Sequence, residues 1–134
     1  MKLQVGVKVL IKNSEGKYLL LQRASAMDDE AEAHWDIPGG RIEPAEPLLD
    51  ALAREVSEET GLTLNDSPRL LGAQDIFVPL KDLHVVRLTY LVDGSGDATI
   101  SDEHQKMQWA TNNEALDMNL DPYLREILSN QKNA

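Results

Sequence analysis

Apolar residues alternate with polar or small ones at Leu3, Val5, Val7, Val9 and Ile11, the period-two pattern of a strand with two unlike faces. The polar turn Asn13-Ser14-Glu15-Gly16 leads into a second apolar run, Lys17 to Arg23, so the first 23 residues predict a hairpin. The pattern then stops. Residues 24–34, ASAMDDEAEAH, hold no large apolar side chain except Met27, and predict a surface loop. In Trp35-Asp36-Ile37-Pro38-Gly39-Gly40 the last three residues break regular structure and let the backbone approach another group closely. From about Glu46 the period becomes helical, with Leu48, Leu49, Leu52 and Val56 on one side and Gly61 as the C-terminal stop. Residues 69–78 and 84–92 read as strands of a second hairpin, 94–97 as a loop, 106–110 as a short strand, and 121–130 as a closing helix with Pro122 in its first turn. Strands, helix, strands, helix predict an α+β fold on a mixed sheet, one domain over 1–134 with no internal repeat.

Charge narrows the function classes. The chain carries 23 acidic against 13 basic residues, a formal net charge of -10, and shows none of the Lys and Arg clusters that hold a phosphate backbone, so no nucleic-acid polymer is expected as a partner. A small phosphorylated molecule remains compatible if cations mediate its binding. There is no cysteine, which removes disulfides and thiolate metal sites and leaves a hard, oxygen-bound cation as the metal to expect. The alternation of residues 2–12 lacks the unbroken apolar core of a signal peptide or spanning helix, so a cytoplasmic protein with no membrane association is expected.

The acids of the central helix are placed unusually. With Leu48 at zero and about 100° per residue, Leu52 falls near 40°, Val56 near 80° and Leu49 near 100°, which defines an apolar stripe. Glu59 falls near 20° and Glu55 near 340°, within or beside that stripe, and Glu58 near 280° adjoins them. A merely solvated face would put carboxylates opposite, where Asp50 stands. Crowded, half-buried carboxylates need a compensating cation. Arg54, one turn before Glu58, supplies part of it. Two readings stay open from geometry alone: a Mg²⁺ site, with Mn²⁺ as a substitute, or a structural Arg-Glu network.

Gly40-x5-Glu46-x7-Arg54-Glu55-Val56-Ser57-Glu58-Glu59-Thr60-Gly61-Leu62 resembles the Nudix box, with every specified position filled. Leu19 to Arg23, Trp35 to Gly40, and Ser101-Asp102-Glu103-His104 through Trp109 are similar to further landmarks of Nudix hydrolases, so the resemblance covers nearly the whole chain. It implies an αβα sandwich around a mixed sheet and Mg²⁺-dependent hydrolysis of a nucleoside diphosphate linked to another moiety X. It implies Glu55, Glu58, Glu59 and the Gly39 carbonyl as metal ligands, with Glu103 from a later loop as a further ligand. It implies Arg54 as the residue that orients the glutamates, and Glu55, Glu58 or Glu103 as the general base. Glu46 would brace the loop before the helix by accepting backbone N–H groups. A homodimer is a family expectation.

Substrate contacts are read as Gly40, Arg23 at the end of its strand, and Trp35, which could stack on a base or serve as a packing anchor. Trp109 reads as core, Phe77 and Tyr90 as strand packing, His34 and His84 as structural, and the acidic run 28–32 as solvated loop. The leading substrate class is a small nucleotide, a nucleoside triphosphate or modified dNTP. An ADP-sugar or dinucleotide polyphosphate is the alternative, and a nucleotide-sensing module without catalysis is the competing class. Diphosphate isomerase chemistry would call for a cysteine that this chain lacks.

Overall fold

The computed structural model describes residues 1–23 and 34–132. The expected loop at 24–33, with its acidic run 28–32, lies outside them. Among the described residues seven strands form one mixed sheet: β1 (Lys2–Lys12), β2 (Tyr18–Arg23), β3 (Trp35–Asp36), β4 (Gly39–Arg41), β5 (Arg69–Val78), β6 (Leu83–Asp93) and β7 (His104–Ala110). β1 runs parallel to β6 along its whole length, from Lys2 beside Leu83 to Lys12 beside Asp93, and antiparallel to β4. β2 pairs antiparallel with β7 and β3, and β5 closes the far edge against β6.

The first predicted hairpin forms only at its turn. Asn13 Oδ1 accepts the Glu15 and Lys17 N–H groups, and β1 and β2 pair at Lys12 and Tyr18. Beyond that they diverge, because β4 takes the edge of β1 while β7 and β3 take β2. Gly39 and Gly40, read from sequence as part of a break, instead begin strand β4, where a Cβ at either would meet a neighbouring group.

Helices cover both faces. α1 (Leu48–Thr60) packs Ala51, Leu52 and Val56 on Val7, Val9, Ile11, Leu19 and Leu21. α2 (Asn112–Leu116) and α3 (Pro122–Lys132) pack Ala115, Leu124, Ile127 and Leu128 on Leu10, Tyr18 and Leu20. Strand β2 and the second half of β1 are therefore buried on both faces, and each fully buried aliphatic side chain contributes about 1.5–3 kcal/mol. The αβα layering matches the sequence expectation.

Several details differ from it. Leu49 is 44% exposed: the buried arc of α1 is centred on Ala51, Leu52, Val56 and Glu59, which leaves Leu49 at the rim of the first turn. α1 begins after Pro47, not at Glu46, since Ala45 takes a left-handed φ of 66° that no helix continues. α2 was not anticipated, although Thr111 and Glu114 form a reciprocal capping box around it. Phe77 is exposed on the outer strand and stacks on the ring of His84 at 4.5 Å. Tyr90 is buried and Trp109 packs at the edge of the α1 core, as read.

Candidate active site

Two glycines bring α1 onto β4. A Cβ on Gly39 would collide with the Val7 carbonyl and the Lys8 backbone, and its φ of 143° is open to glycine and strained for other residues. The Gly39 N–H donates to Glu59 Oε1 at 2.9 Å. A Cβ on Gly40 would fall 2.7 Å from the Glu55 carboxylate. Gly39 and Gly40 thus give Glu59 and Glu55 a bare strand to lie against. Gly61, at φ 72°, ends the helix and returns its N–H to Ser57 O.

Arg54 gathers the acids. Its Nε donates to Glu46 Oε2 at 2.8 Å and Nη2 to Glu46 Oε1 at 3.0 Å, while Nη1 reaches Glu55 Oε1 at 3.0 Å and Glu58 Oε2 at 3.4 Å. Glu46 Oε1 also accepts the Glu43 N–H at 2.9 Å, the bracing role expected for it. The Arg54 hydrogen bonds, followed by the Glu43 N–H, lower the Glu46 carboxyl to about 2. The guanidinium is held in turn by its carboxylate partners, Glu46 first, which raise its pKa.

Glu59 is 6% exposed. Burial pushes its carboxyl up to about 7, against the pull of the Gly39 N–H and Lys8, and the charges of Glu55 and Glu103 push the same way as burial. Glu55, Glu59 and Glu103 therefore share one electrostatic neighbourhood. Glu58, which shares Arg54 Nη1 with Glu55, has 59% of its side chain exposed. The two readings of Glu55 and Glu59 as acids on the buried side hold, whereas Glu58 faces solvent beside Arg54. Among the described residues no three acids or histidines converge into a ready cation cage; Arg54 spreads Glu55 and Glu58 between its own donors. The donor chemistry nevertheless fits a hard divalent cation: oxygen ligands alone, beside a glycine backbone, with carboxylates lacking enough positive charge.

On the other side of β4 lies a cleft of about 230 Å³. Its lining includes Arg23 and Gly40, two of the residues expected to contact substrate, and Lys8, Gln4 and Arg87, which were not anticipated. Arg87 is 5% exposed. It donates to Asp36 Oδ1 from Nη2 at 2.8 Å and to Oδ2 from Nη1 at 3.1 Å. Lys8 Nζ lies 3.5 Å from Asp36 Oδ2 and donates to the Ile37 carbonyl at 3.2 Å. Burial of Asp36 is outweighed by Lys8 and Arg87, which bring its carboxyl down to about 2. The one charged residue in the mainly apolar run 85–92 was the available sequence signal.

Trp35 is half-buried against the α3 core, its N–H donating to Asn119 O and its carbonyl accepting the Asp121 N–H; it is an anchor for the segment and is not among the cleft lining. His84 is tied to Asp75 at 2.8 Å. His104, part of the Ser101-to-Trp109 landmark, starts β7 opposite Arg23. Burial lowers its pKa, reinforced by Arg23 and Lys8, so it belongs to the same neighbourhood.

This geometry has known counterparts. A family model described as NUDIX domain matches residues 2–131. The CTP pyrophosphohydrolase of Escherichia coli K12 is 32% identical over 119 residues, 88% of this chain and 84% of that protein. The m7GpppN-mRNA hydrolase NUDT17 of Danio rerio is 38% identical over 92 residues, 66% of this chain, and the match spans 30% of that longer protein. The crystal structure of the MutT protein from Methanosarcina mazei Go1 superposes with a TM-score of 0.83 at 30% identity, covering 98% of this chain and 95% of that one. No helix among the described residues is long and apolar enough to cross a membrane. With the family model spanning residues 2–131, and the glutamates of its box laid against a glycine strand, the chain belongs to the Nudix family.

Proposed function

We propose that this chain is a pyrophosphohydrolase that uses Mg²⁺, or Mn²⁺ in its place, to cleave a pyrophosphate bond in a nucleoside triphosphate or modified dNTP. The observation that carries the reading is the arrangement of Glu55 and Glu59 against Gly39 and Gly40, with a cationic cleft on the other side of the same strand. The 32% identity to a CTP pyrophosphohydrolase that the chain matches over most of both lengths supports the triphosphate substrate. The cleft, about 230 Å³, is small against the roughly 300–1,000 Å³ of larger ligand sites, which favours one nucleoside over an ADP-sugar or dinucleotide polyphosphate. Retention of every acid of the box counts against a sensing module without catalysis.

Glu55, Glu58, Glu59, the Gly39 carbonyl and Glu103 would hold the metal. When bound, the metal neutralises charge on the phosphates and lowers the pKa of water for attack on phosphorus. Arg54 exchanges its hold on Glu55 and Glu58 for orienting them while keeping Glu46 as its fixed anchor. Arg23 meets the phosphates at the cleft mouth, and Gly40 lets the substrate approach the backbone. Trp35 anchors the segment that carries both glycines. Glu103, Glu55 or Glu58 takes the proton from water. The test is a nucleotide panel of triphosphates, modified dNTPs, ADP-sugars, dinucleotide polyphosphates and a cap dinucleotide, assayed with Mg²⁺ and with EDTA. Release of nucleoside monophosphate and pyrophosphate with Mg²⁺ alone supports the reading, and no turnover of any member overturns it.

A further inference from the structure

A buried Arg-carboxylate pair is a poor way to gain stability, since apolar residues of equal volume do as well or better. Yet Arg87 interrupts an otherwise apolar stretch of β6, and Asp36 reaches it from β3, on the half of the sheet that has parted from β1. In register, Arg87 stands beside Gly6, and both line the cleft. Ile76 and Val85 provide apolar walls, and Gln4 and Lys8 polar edges. Apolar faces with polar groups at the rim suit a nucleobase, which is flat and polar only at its edge.

We propose that Asp36 is a positioning residue that fixes Arg87 and Lys8 as donors in this cleft, so that it selects bases presenting carbonyl and ring-nitrogen acceptors over adenine. The inference rests on the nucleotide reading above. Asp36 takes one N–H from each Nη of Arg87, and Asp121 Oδ1 lies 3.6 Å from Nη1, so the guanidinium is held in one orientation where it lines the cleft. Guanidinium and ammonium groups donate only. A guanine O6/N7 edge, or the carbonyl edge of cytosine or uracil, therefore meets complementary groups, whereas the exocyclic amino group of adenine would place a donor against donors. The segment that carries Asp36 ends at Gly39, whose N–H sits on Glu59. Base and reacting phosphate are thus held from the two ends of four residues.

The experiment is titration calorimetry of GMP, CMP, UMP and AMP into the metal-free protein, alongside the hydrolysis panel. In the wild type at least one carbonyl-bearing nucleotide binds about tenfold or more tightly than AMP. Asp36→Asn brings that ratio close to one, and Asp36→Glu restores part of it. The double variant Asp36→Asn/Arg87→Gln replaces the ion pair by a neutral amide pair; it keeps the melting temperature of the single variant or improves on it, and stays indiscriminate. Equal binding of all four by the wild type, an unchanged ratio in Asp36→Asn, or recovery of selectivity in the double variant overturns the inference. Hydrolysis without base selectivity leaves the proposed function standing alone, and selective binding without hydrolysis of any member does the reverse.

Discussion

Glu59 Oε1 accepts the Gly39 N–H at 2.9 Å across twenty residues of sequence, and that bond ties the helix of acids to the strand beneath it. The burial of that carboxyl sets a pH dependence, which the bond itself opposes. Burial of Glu59 raises its carboxyl from 4.5 to about 7, so the folded chain holds a proton there more tightly than the unfolded one. Its contribution is fully present below pH 4.5 and is lost as pH rises through about 7, up to roughly 3 kcal/mol in all. Urea unfolding of the metal-free protein should give a lower midpoint at pH 8 than at pH 5, and Glu59→Gln should remove most of the difference.

A cation that binds only the folded chain should reverse that loss. At pH 8, Mg²⁺ at about a hundred times its dissociation constant should stabilise by about 2.7 kcal/mol, read as a rise in melting temperature that EDTA abolishes. The rise should shrink in Glu55→Gln. Equal shifts in wild type and variant would remove Glu55 from the ligand set.

Glu58→Gln should lower turnover by about a hundredfold or more while leaving the urea midpoint almost unchanged. Its side chain is 59% exposed, and exposed substitutions move stability by only about 0.5 kcal/mol. Unchanged Mg²⁺-dependent turnover would sink its assignment as a ligand.

Gly40→Ala and Gly39→Ala should fail differently. At Gly40 the added methyl meets the mobile end of Glu55 at 2.7 Å, so the chain should fold and lose about tenfold or more in kcat through a misplaced carboxylate. At Gly39 it meets the backbone of β1, which cannot yield, and soluble, cooperatively unfolding protein should be hard to obtain. Circular dichroism melts of the two variants separate the cases.

The acids on the buried side of α1 were legible because helical geometry is local: Glu55 and Glu59 fall in the apolar arc from spacing alone. Asp36 and Arg87 were not, since their pairing depends on how β1 and β2 part, which period-two alternation does not encode. The alternation of β1 drew attention to Val5, Val7 and Val9, and passed over Lys8, which faces the other way into the cleft. Leu49 was misplaced because a helical wheel has no edges, whereas a sheet does. α2 escaped notice because five residues carry too little periodicity, though its capping box was written in Thr111 and Glu114.

The parallel pairing of β1 with β6 also bears on how the protein is made. Each residue of β1 meets a neighbour roughly eighty positions later in the chain, and contacts of that span slow folding because loop closure must come first. During synthesis β1 waits for roughly eighty further residues before its partner exists. The cleft, which needs both strands, is completed late. Catalytic competence should then appear no earlier than the pairing of β1 with β6.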